Sequence, residues 1–394
     1  MSEIASATLT AILRPWTRRP AASRCDKPIG AFMSTFRISL MPRRARARSA
    51  FMLATFVASL ILAMLPLLAM TTTAARACAC GCSVFDIGGG MLPQENDHGG
   101  RIFFEWWHSD QNVNWVGSSR ASPVFNQDKR LATDWYNAGF SYMFNRQWGI
   151  MVRIPFADRN FTTTVDPTVG LVQTFNSKSV GDIELMGMYT GFFDDMSTGL
   201  VYGIKLPTGT YTAFGLDRDS QIGSGSTDFI LGGFHRGLLT GDNHWQYFSQ
   251  VQWRLPFLYS YAFDPDIGTQ ALYKPGYQVD GALGVLYNNL YNVFGFDKIT
   301  PLAQVIVSHR VHDAGSAADP LNSGFDRLMF APGIEFTKVV DEANNRVVKF
   351  YADVETPFYY RVNSGDNGGL PINGGTEGQL MTPIMVKVVA SYNF

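Results

Sequence analysis

Residues 134–157 have the sequence DWYNAGFSYMFNRQWGIMVRIPFA, in which two segments of alternating apolar and polar side chains flank a short polar turn. Neighbouring side chains of a β-strand point to opposite faces of the sheet, so residues two apart share a face. Tyr136, Ala138 and Phe140 therefore fall on one face, and Asn137 falls on the other. The stretch predicts an antiparallel β-hairpin with one apolar face.

The same unit of alternating segment and break recurs from residue 101 to the end of the chain, with Gly, Asn, Asp or Pro at the breaks. It predicts twelve strands, which lie near 101–108, 134–144, 147–157, 179–190, 197–206, 225–237, 244–254, 276–288, 298–309, 326–337, 346–357 and 383–394. An even strand number is typical of single-chain bacterial outer-membrane barrels.

The connections between the predicted strands alternate in length. Those after the even-numbered strands are short, namely 145–146, 191–196, 238–243, 289–297 and 338–345. Those after the odd-numbered strands are long, namely 109–133, 158–178, 207–224, 255–275, 310–325 and 358–382. In outer-membrane barrels the short turns face the periplasm and the long loops face the exterior. Both ends of the barrel segment are therefore expected on the periplasmic side.

The composition excludes the main competing classes. The chain has 394 residues, of which 46% are hydrophobic, 13% aromatic and 16% charged. A soluble surface usually carries roughly 25–35% charged residues, which disfavours a soluble β-sandwich. A propeller would show self-similar repeats of about 40–45 residues, and none are visible. We therefore predict an all-β fold, a 12-stranded antiparallel transmembrane β-barrel of the bacterial outer membrane.

The N-terminal region has the pattern of a secretory signal peptide. Four arginines between residues 43 and 48 precede an apolar core at 51–70 and a small-x-small site at 75–77. This pattern predicts cleavage before Cys78, with an uncleaved inner-membrane anchor as the alternative. Residues 1–40 have no pattern of their own, and they represent either an upstream mis-start or an extended basic region.

These features divide the chain into three parts. They are a signal peptide at 1–77, a Cys-rich periplasmic head and linker at 78–100, and the transmembrane β-barrel at 101–394. Residues beyond the signal peptide carry 21 basic and 31 acidic side chains, a net charge of −10. That balance disfavours a nucleic-acid partner, because phosphate binding needs a basic face. The expected location is the outer membrane of a Gram-negative bacterium, reached by secretory export.

The inward positions of the predicted strands carry nearly all of the strand charge. The basic set is Arg101, Arg153, Lys205, Arg254, Arg310, Arg327, Lys349 and Lys387. The acidic set is Glu105, Asp182, Glu184, Asp228, Asp280, Glu335, Asp353 and Glu355. On the lipid side, one charge would cost about 2–4 kcal/mol at mid-depth, so we expect all sixteen to line the lumen. They predict a mixture of a salt-bridge lattice that fills a narrow barrel and a hydrated pore for a polar solute.

Three cysteines at alternate positions, Cys78, Cys80 and Cys82, form what we call the Cys head. Three such thiols can converge on one soft cation, so the head is a candidate site for Cu(I) or another thiophilic metal. Lipidation of Cys78 and oxidation of two thiols are the alternatives. No other cofactor is predicted.

Nothing in the sequence indicates an enzyme. Ser224 and Ser226 lie in a glycine-rich strand entrance, and no Gly-x-Ser-x-Gly nucleophile motif is present. The chain ends on Phe394 after an alternating segment, which resembles the C-terminal signal that the barrel assembly machinery recognises. The expected partners are therefore that machinery, outer-membrane lipid and a small solute. Loops 109–133 and 207–224 are the expected constriction or lid.

Several motifs resemble one family of outer-membrane barrels. They are KLPTGTY at 205–211, IGSGSTDFILGGFHRG at 222–237, APGIEF at 331–336, YADVETPFY at 351–359 and VKVVASYNF at 386–394. This chain is similar over roughly residues 100–394 to the "MetA-pathway of phenol degradation" transporter-like family, to which the Cys head is an addition. The resemblance implies a barrel that passes small, often hydrophobic or aromatic, compounds, and no catalytic residues carry over.

Three functions follow from these observations. The leading prediction is a channel or transporter for passive passage of a small solute across the outer membrane. The first alternative is a barrel-anchored protein that binds or delivers a thiophilic metal through the Cys head. The second alternative is a structural barrel with a plugged lumen.

Overall fold

A computed structural model of the protein describes residues 99–394, apart from Pro167, Asp219, Asn289 and the segments 265–268 and 365–377. The predicted signal peptide and the Cys head lie outside the described residues. The strands, in chain order, are β1 (Gly99–Gln111), β2 (Val113–Val116), β3 (Ser119–Arg120), β4 (Asp128–Met143), β5 (Trp148–Asp166), β6 (Leu171–Val180), β7 (Glu184–Tyr189), β8 (Thr198–Lys205), β9 (Asp228–Leu238), β10 (Trp245–Pro256), β11 (Ser260–Asp264), β12 (Thr269–Tyr273), β13 (Gln278–Tyr287), β14 (Leu290–Val293), β15 (Phe296–Arg310), β16 (Phe325–Asp341), β17 (Arg346–Val362), β18 (Gln379–Met381) and β19 (Met385–Asn393).

Twelve of these strands close into an antiparallel barrel, which confirms the predicted fold class. Their order around the barrel is β1, β4, β5, β7, β8, β9, β10, β13, β15, β16, β17 and β19, and β19 pairs with β1 to complete the circle. β6 and β7 both pair with β5, so β6 continues the position that β7 occupies in the barrel. β14 extends that of β13 in the same way, against β15. Closure satisfies the backbone groups of every strand without leaving an edge.

The hairpin at 134–157 shows why the alternating pattern gives this fold. Phe140 pairs with Val152, and the next pair on the same face is Tyr142 with Ile150. Phe140 and Ile150 are exposed on the outside of the barrel, whereas Met151 between the outward positions is buried inside. Because successive residues alternate between lipid and lumen, a barrel strand needs only one apolar face, and its other face can be mixed.

The outer wall repeats this apolar face on strand after strand. Ile102, Phe104, Ile154, Ile204 and Phe330 are all exposed, with 38–54% of their surface accessible. In water, such a continuous apolar surface would promote aggregation, whereas in a bilayer it contacts the hydrocarbon chains. No helix in the described part of the chain is long and apolar enough to span a membrane.

The five predicted short joins lie at one end of the barrel, here called the short-turn end. Two of them are shorter than predicted, because 289–297 contains β14 and 338–345 contains the last residues of β16. Asn243 and Asn345 adopt positive φ values of 63° and 53° there, a conformation that asparagine tolerates well. Hydrogen bonds from the Thr240 hydroxyl and from the backbone of His244 lower the pKa of Asp242 below its usual value. A carboxylate that accepts these bonds closes the turn, so the turn chemistry fixes the register of the two strands.

At the other end, the long-loop end, one predicted loop is largely strand. The sequence predicts a loop over 158–178, whereas β5 continues to Asp166 and β6 begins at Leu171. The two extensions pair through their backbones, and the Thr162 and Thr174 hydroxyls lie 2.9 Å apart across them. Phe161 is still buried on the inward face of this extension, but the outward side chains of β5 are now Asp158, Asn160 and Thr162, so the apolar outward period that marks a membrane strand is lost. That loss is the reason the prediction was wrong here.

Three other long loops contain small sheets of their own. β2 and β3 pair with each other, and β18 pairs with β2, so the first and last loops are joined. β11 and β12 form a separate hairpin. A short 3-10 helix, Pro123–Phe125, completes the first loop. These elements lie in the connections at the long-loop end of the barrel.

Candidate functional site

The lumen is filled by side chains over much of its length. Toward the short-turn end, Met143, Met151, Met186 and Met188 project inward from adjacent strands and are buried. They pack in one cluster with Phe103, Ile230, Leu302, Tyr351 and Val389. Methionine has an unbranched, adaptable side chain that fills irregular gaps. This part of the lumen is therefore a soft apolar constriction.

The structure places the sixteen charged residues predicted for the lumen inside the barrel wall. Fourteen of them are buried, and Arg254 and Lys349 are half-buried. None lies among the exposed side chains of the lipid-facing wall. Most of them are paired with each other across strands, as the geometry below shows.

A chain of ion pairs crosses the lumen between residues of both signs. The Arg153 guanidinium donates to Glu105 at 2.6 Å and lies 4.0 Å from Glu184. Arg254 donates to the other oxygen of Glu184 at 2.5 Å. The Asn137 amide also donates to Glu105, at 2.7 Å. These residues reach from β1 to β10, half of the way around the barrel, so the chain of ion pairs braces opposite walls.

A second cluster surrounds Lys205 at the end of β8. Its ammonium lies 2.7 Å from Asp228 and 3.1 Å from Asp182. Lys205 also donates to the Ser224 hydroxyl at 2.5 Å, and that hydroxyl donates to Asp182 at 2.6 Å. The Ser224 backbone N–H donates to the same carboxylate at 2.9 Å. The cluster therefore fastens the loop at 206–227 to the barrel wall.

The remaining predicted residues form local contacts on other strands. Three ion pairs are Arg310–Asp313 at 2.6 Å, Lys349–Glu335 at 2.9 Å and Lys387–Glu355 at 3.1 Å. Two acids accept hydrogen bonds from neighbours on their own strand: Asp280 from Gln278 at 2.9 Å, and Asp353 from Tyr351 at 2.5 Å. Two guanidinium groups lie over aromatic rings: Arg101 over Phe103, and Arg327 over Phe325. The predicted residues thus form several clusters rather than one site.

The loop at 206–227 folds into the lumen, where the sequence predicts a lid at 207–224. Its entry is a close contact between glycines: a Cβ at Gly209 would lie 2.7 Å from the Cα of Gly223 and 2.9 Å from the carbonyl carbon of Gly181. The Gly209 backbone N–H donates to Asp182 at 3.0 Å. Only residues without a side chain allow backbones to approach this closely. The glycines therefore hold the loop inside the barrel.

Beneath this loop lies a cavity of about 130 Å³ in the long-loop half of the lumen. Trp107 and Trp135 form part of its wall, with their ring centroids 5.7 Å apart in a stacked arrangement. Seven of the sixteen charged residues predicted for the lumen line it, namely Arg153, Asp182, Glu184, Lys205, Asp228, Arg254 and Arg310. The cavity is thus the place where the largest group of the predicted charges meets.

Glu105 is not part of the cavity wall, but it is linked to that wall through its ion pair with Arg153. The other predicted residues lie elsewhere in the lumen. No residue of the second predicted lid, 109–133, is among the described residues that line the cavity. That loop instead pairs through β2 with β18, and Trp115 packs edge-on against Tyr360 at a centroid distance of 5.6 Å.

Several residues of the cavity were missed by the sequence prediction. Arg159 is buried on the extension of β5, where it donates to the Gln221 carbonyl at 2.9 Å and lies 5.6 Å from the ring of Trp135. Arg218 belongs to the inward loop and lies 4.4 Å from the ring of Tyr273. The inward alternation of β5 continues from Arg153 to Arg159 and could have indicated the first. No periodic signal marks Arg218, because it lies in a loop.

Neither a metal centre nor a hydrolytic site follows from the geometry of the described residues. Within the part of 99–394 that the structure describes, no group of three or more His, Cys, Asp or Glu side chains is placed to hold a metal ion. Ser224 lies beside Lys205, but its hydroxyl donates to Asp182, and the whole cluster fastens the loop. The three thiols of the Cys head lie outside the described residues.

Comparisons with known proteins show which known fold the structure resembles. No protein-family model matches the chain, and no curated protein matches it in sequence. The structure is similar to an outer membrane channel from Pseudomonas putida F1, with a TM-score of 0.54 and 10% identity over 78% of this chain and 100% of that one. This likeness shows a shared outer-membrane β-barrel fold.

Two further structures match more weakly. One is the β domain of the Bordetella autotransporter BrkA, with a TM-score of 0.37 and 11% identity over 75% of this chain and 99% of that one. The other is a FadL homologue from Pseudomonas aeruginosa, with a TM-score of 0.36 and 8% identity over 76% of this chain and 90% of that one. At these scores neither adds to the fold assignment.

Proposed function

We propose that the protein is an outer-membrane channel through which a small solute passes passively. The observation that carries this proposal is the cavity of about 130 Å³ inside the long-loop half of the barrel. A barrel that served only as a scaffold would gain nothing from a polar, charge-lined space in its interior. The fold shared with a solved outer membrane channel is consistent with the same role.

The proposed path leads from the cavity past the ion-pair chain to the methionine cluster. Ion pairs between Arg153, Glu105 and Glu184 narrow the middle of the lumen. The lumen is closed toward the short-turn end by Met143, Met151, Met186 and Met188. Methionine side chains change rotamer readily, so this cluster can part around a passing molecule. A cavity of about 150 Å³ is known to hold benzene, so the solute would be about the size of a single ring.

A tryptophan placed in the path tests the proposal. Met186 is buried in the lumen, whereas its neighbour Leu185 faces outward with 38% of its surface exposed. Met186→Trp should reduce the uptake of small aromatic solutes into proteoliposomes at least about tenfold, because the larger ring fills the constriction. Leu185→Trp is the matched control, and its uptake rate should equal that of the unsubstituted protein.

The same two variants can also contradict the proposal. Uptake by Met186→Trp at the unsubstituted rate, with the barrel folded by circular dichroism, would show that no solute crosses this part of the lumen. Absence of uptake by the unsubstituted protein itself would favour a plugged structural barrel.

A further inference from the structure

Four methionines occupy two adjacent rows of the inner wall at the short-turn end. In one row, Gly149 of β5 pairs with Met143 on one side and with Met188 on the other. In the next row, Met151 of β5 pairs with Met186 of β7. All four methionine side chains are buried and belong to one cluster. Because directly opposite positions on neighbouring strands lie about 4.5–5.5 Å apart, this arrangement brings four thioether sulfurs into a small volume.

Two glycines on the same wall leave the space that these side chains fill. A Cβ at Gly149 would overlap the sulfur of Met143 and would lie 3.1 Å from the terminal methyl carbon of Met188. A Cβ at Gly203 would lie 2.8 Å from the Cγ of Met186. Glycine inside a strand often marks such a close approach. Met143 and Met188 therefore reach toward each other over one glycine, where a larger residue would separate them.

The thioether sulfur of methionine is a soft metal ligand. No group of His, Cys, Asp or Glu in the described part of the chain is placed to hold a metal ion, but sulfur ligands from Met and Cys select soft cations such as Cu(I). A thioether carries no charge, and the rest of the cluster, which includes Phe103, Ile230 and Leu302, is apolar. Apolar surroundings penalise each additional charge on an ion, so this cluster favours a monovalent soft cation over a divalent one.

The methionine cluster lies at the mouth of the barrel, where β1 begins. Met143 is the last residue of β4, and it pairs with Gly99, the first residue of β1. In the sequence, the three thiols of the Cys head precede Gly99 by 17 to 21 residues. The chain thus enters the barrel beside the methionines shortly after a stretch that supplies three further soft sulfur donors.

We propose that the thioethers of Met143, Met151, Met186 and Met188 bind one soft monovalent cation, Cu(I) or Ag(I). This site is separate from the candidate site at the Cys head, and it does not depend on the proposed channel function. A neutral thioether holds such an ion less tightly than a thiolate, whose negative charge adds to the attraction. Competition against a strong Cu(I) chelator therefore detects the Cys head, whereas the methionine site requires direct titration.

Methyl NMR spectroscopy of a thiol-free protein tests the site directly. The full chain, with its four cysteines changed to serine, is labelled with ¹³C at the methyl groups of its 15 methionines and titrated with silver nitrate in chloride-free detergent solution. Each methyl signal is assigned by its loss from the corresponding Met→Leu variant. The signals of the four cluster methionines should shift, because coordination draws electron density from the sulfur to which the methyl group is bonded.

The same spectra contain two controls. Met329 is also buried inside the barrel, on β16, but it belongs to a different cluster, and its methyl signal should not move. Potassium nitrate supplies a hard cation of the same charge, and it should shift none of the signals, because thioethers do not bind hard cations.

Exchange of two ligands measures their share of the affinity. Met143→Leu combined with Met188→Leu conserves the apolar volume, which protein cores tolerate well, and removes two sulfurs. Binding of Ag(I), measured by calorimetry, should weaken at least about tenfold, because loss of even an outer partner of a metal site typically costs roughly 10–100-fold in affinity. Met329→Leu in the same thiol-free protein is the matched control, and its affinity for Ag(I) should be unchanged.

The outcomes separate this site from the channel. Unshifted methyl signals of the four methionines, equal shifts at Met329, or an unchanged affinity in the double variant would overturn the site. Silver binding as expected, in a protein that takes up no aromatic solute, would support the site and contradict the channel. Uptake of aromatic solutes by a protein whose methionine signals do not respond to silver would support the channel and overturn the site.

Discussion

Removal of the Arg153 side chain should destabilise the barrel strongly. This guanidinium donates to Glu105 at 2.6 Å, and the side chains are 11% and 0% exposed. Arg153→Met keeps the apolar stem and removes the charge. Glu105 then retains its hydrogen bond from the neutral Asn137 amide, at 2.7 Å, but loses the charge that compensates its own.

The expected cost follows from that burial. Removing one partner of a buried ion pair typically costs about 3–5 kcal/mol, since the remaining charge stays in a medium of low polarity. Replacing both partners removes that penalty, so Glu105→Gln combined with Arg153→Met should recover at least half of the loss. An exposed pair behaves differently: Arg130 has 55% of its side chain exposed, and Arg130→Met should cost no more than about 1 kcal/mol.

Urea unfolding in detergent micelles, followed by tryptophan fluorescence, measures the free energies of unfolding for these three variants and the parent. Two results would refute the reasoning. One is a loss below about 1 kcal/mol in Arg153→Met, similar to the exposed control. The other is a double variant as unstable as the single one, which would show that the charge left on Glu105 is not the cause.

Four further predictions concern the loop, the wall and the N-terminus. Gly223→Ala should raise single-channel conductance by loosening the inward loop, because its Cβ would lie 2.7 Å from the Cα of Gly209; an unchanged conductance would show that the loop does not narrow the path. Ile154→Arg places a charge on the lipid-facing wall and should lower the free energy of unfolding in a bilayer by about 2–4 kcal/mol, and a smaller loss would argue against this membrane face. Sequencing of the protein from the outer-membrane fraction should begin at Cys78, and a start upstream would contradict cleavage at that site. Changing the three thiols of the Cys head to serine should abolish Cu(I) binding in a competition assay, and retained binding would place the metal elsewhere.

The sequence predicts the barrel well where a strand separates lipid from lumen. In the hairpin at 134–157, one face must be apolar and the other can be mixed, so the period of two is visible in the residues themselves. The apolar outward period ends once β5 and β6 extend beyond the membrane, because the outward side chains there are polar, although Phe161 is still buried on the inward face. Strand ends at the long-loop end were therefore the least predictable feature of the fold.

The candidate site could be predicted only in part. Alternation identified the charged residues that the structure places inside the barrel, such as Arg153 and Glu184, because only the lumen tolerates them. Their partners could not be inferred, since Arg254 reaches Glu184 across strands that are not neighbours. Arg218 enters the cavity on a loop whose path depends on glycine contacts between distant segments. Such contacts have no periodic signal in the sequence.

The central claim is that the lumen conducts, and single-channel recording tests it most directly. The protein extracted from the outer-membrane fraction would be inserted into a planar bilayer, alongside the Met186→Trp and Leu185→Trp variants. The unsubstituted protein and Leu185→Trp should give discrete, stable conductance steps, and Met186→Trp should give strongly reduced steps. A silent bilayer from preparations with a β-barrel circular dichroism spectrum, or identical steps from all three proteins, would contradict the central claim.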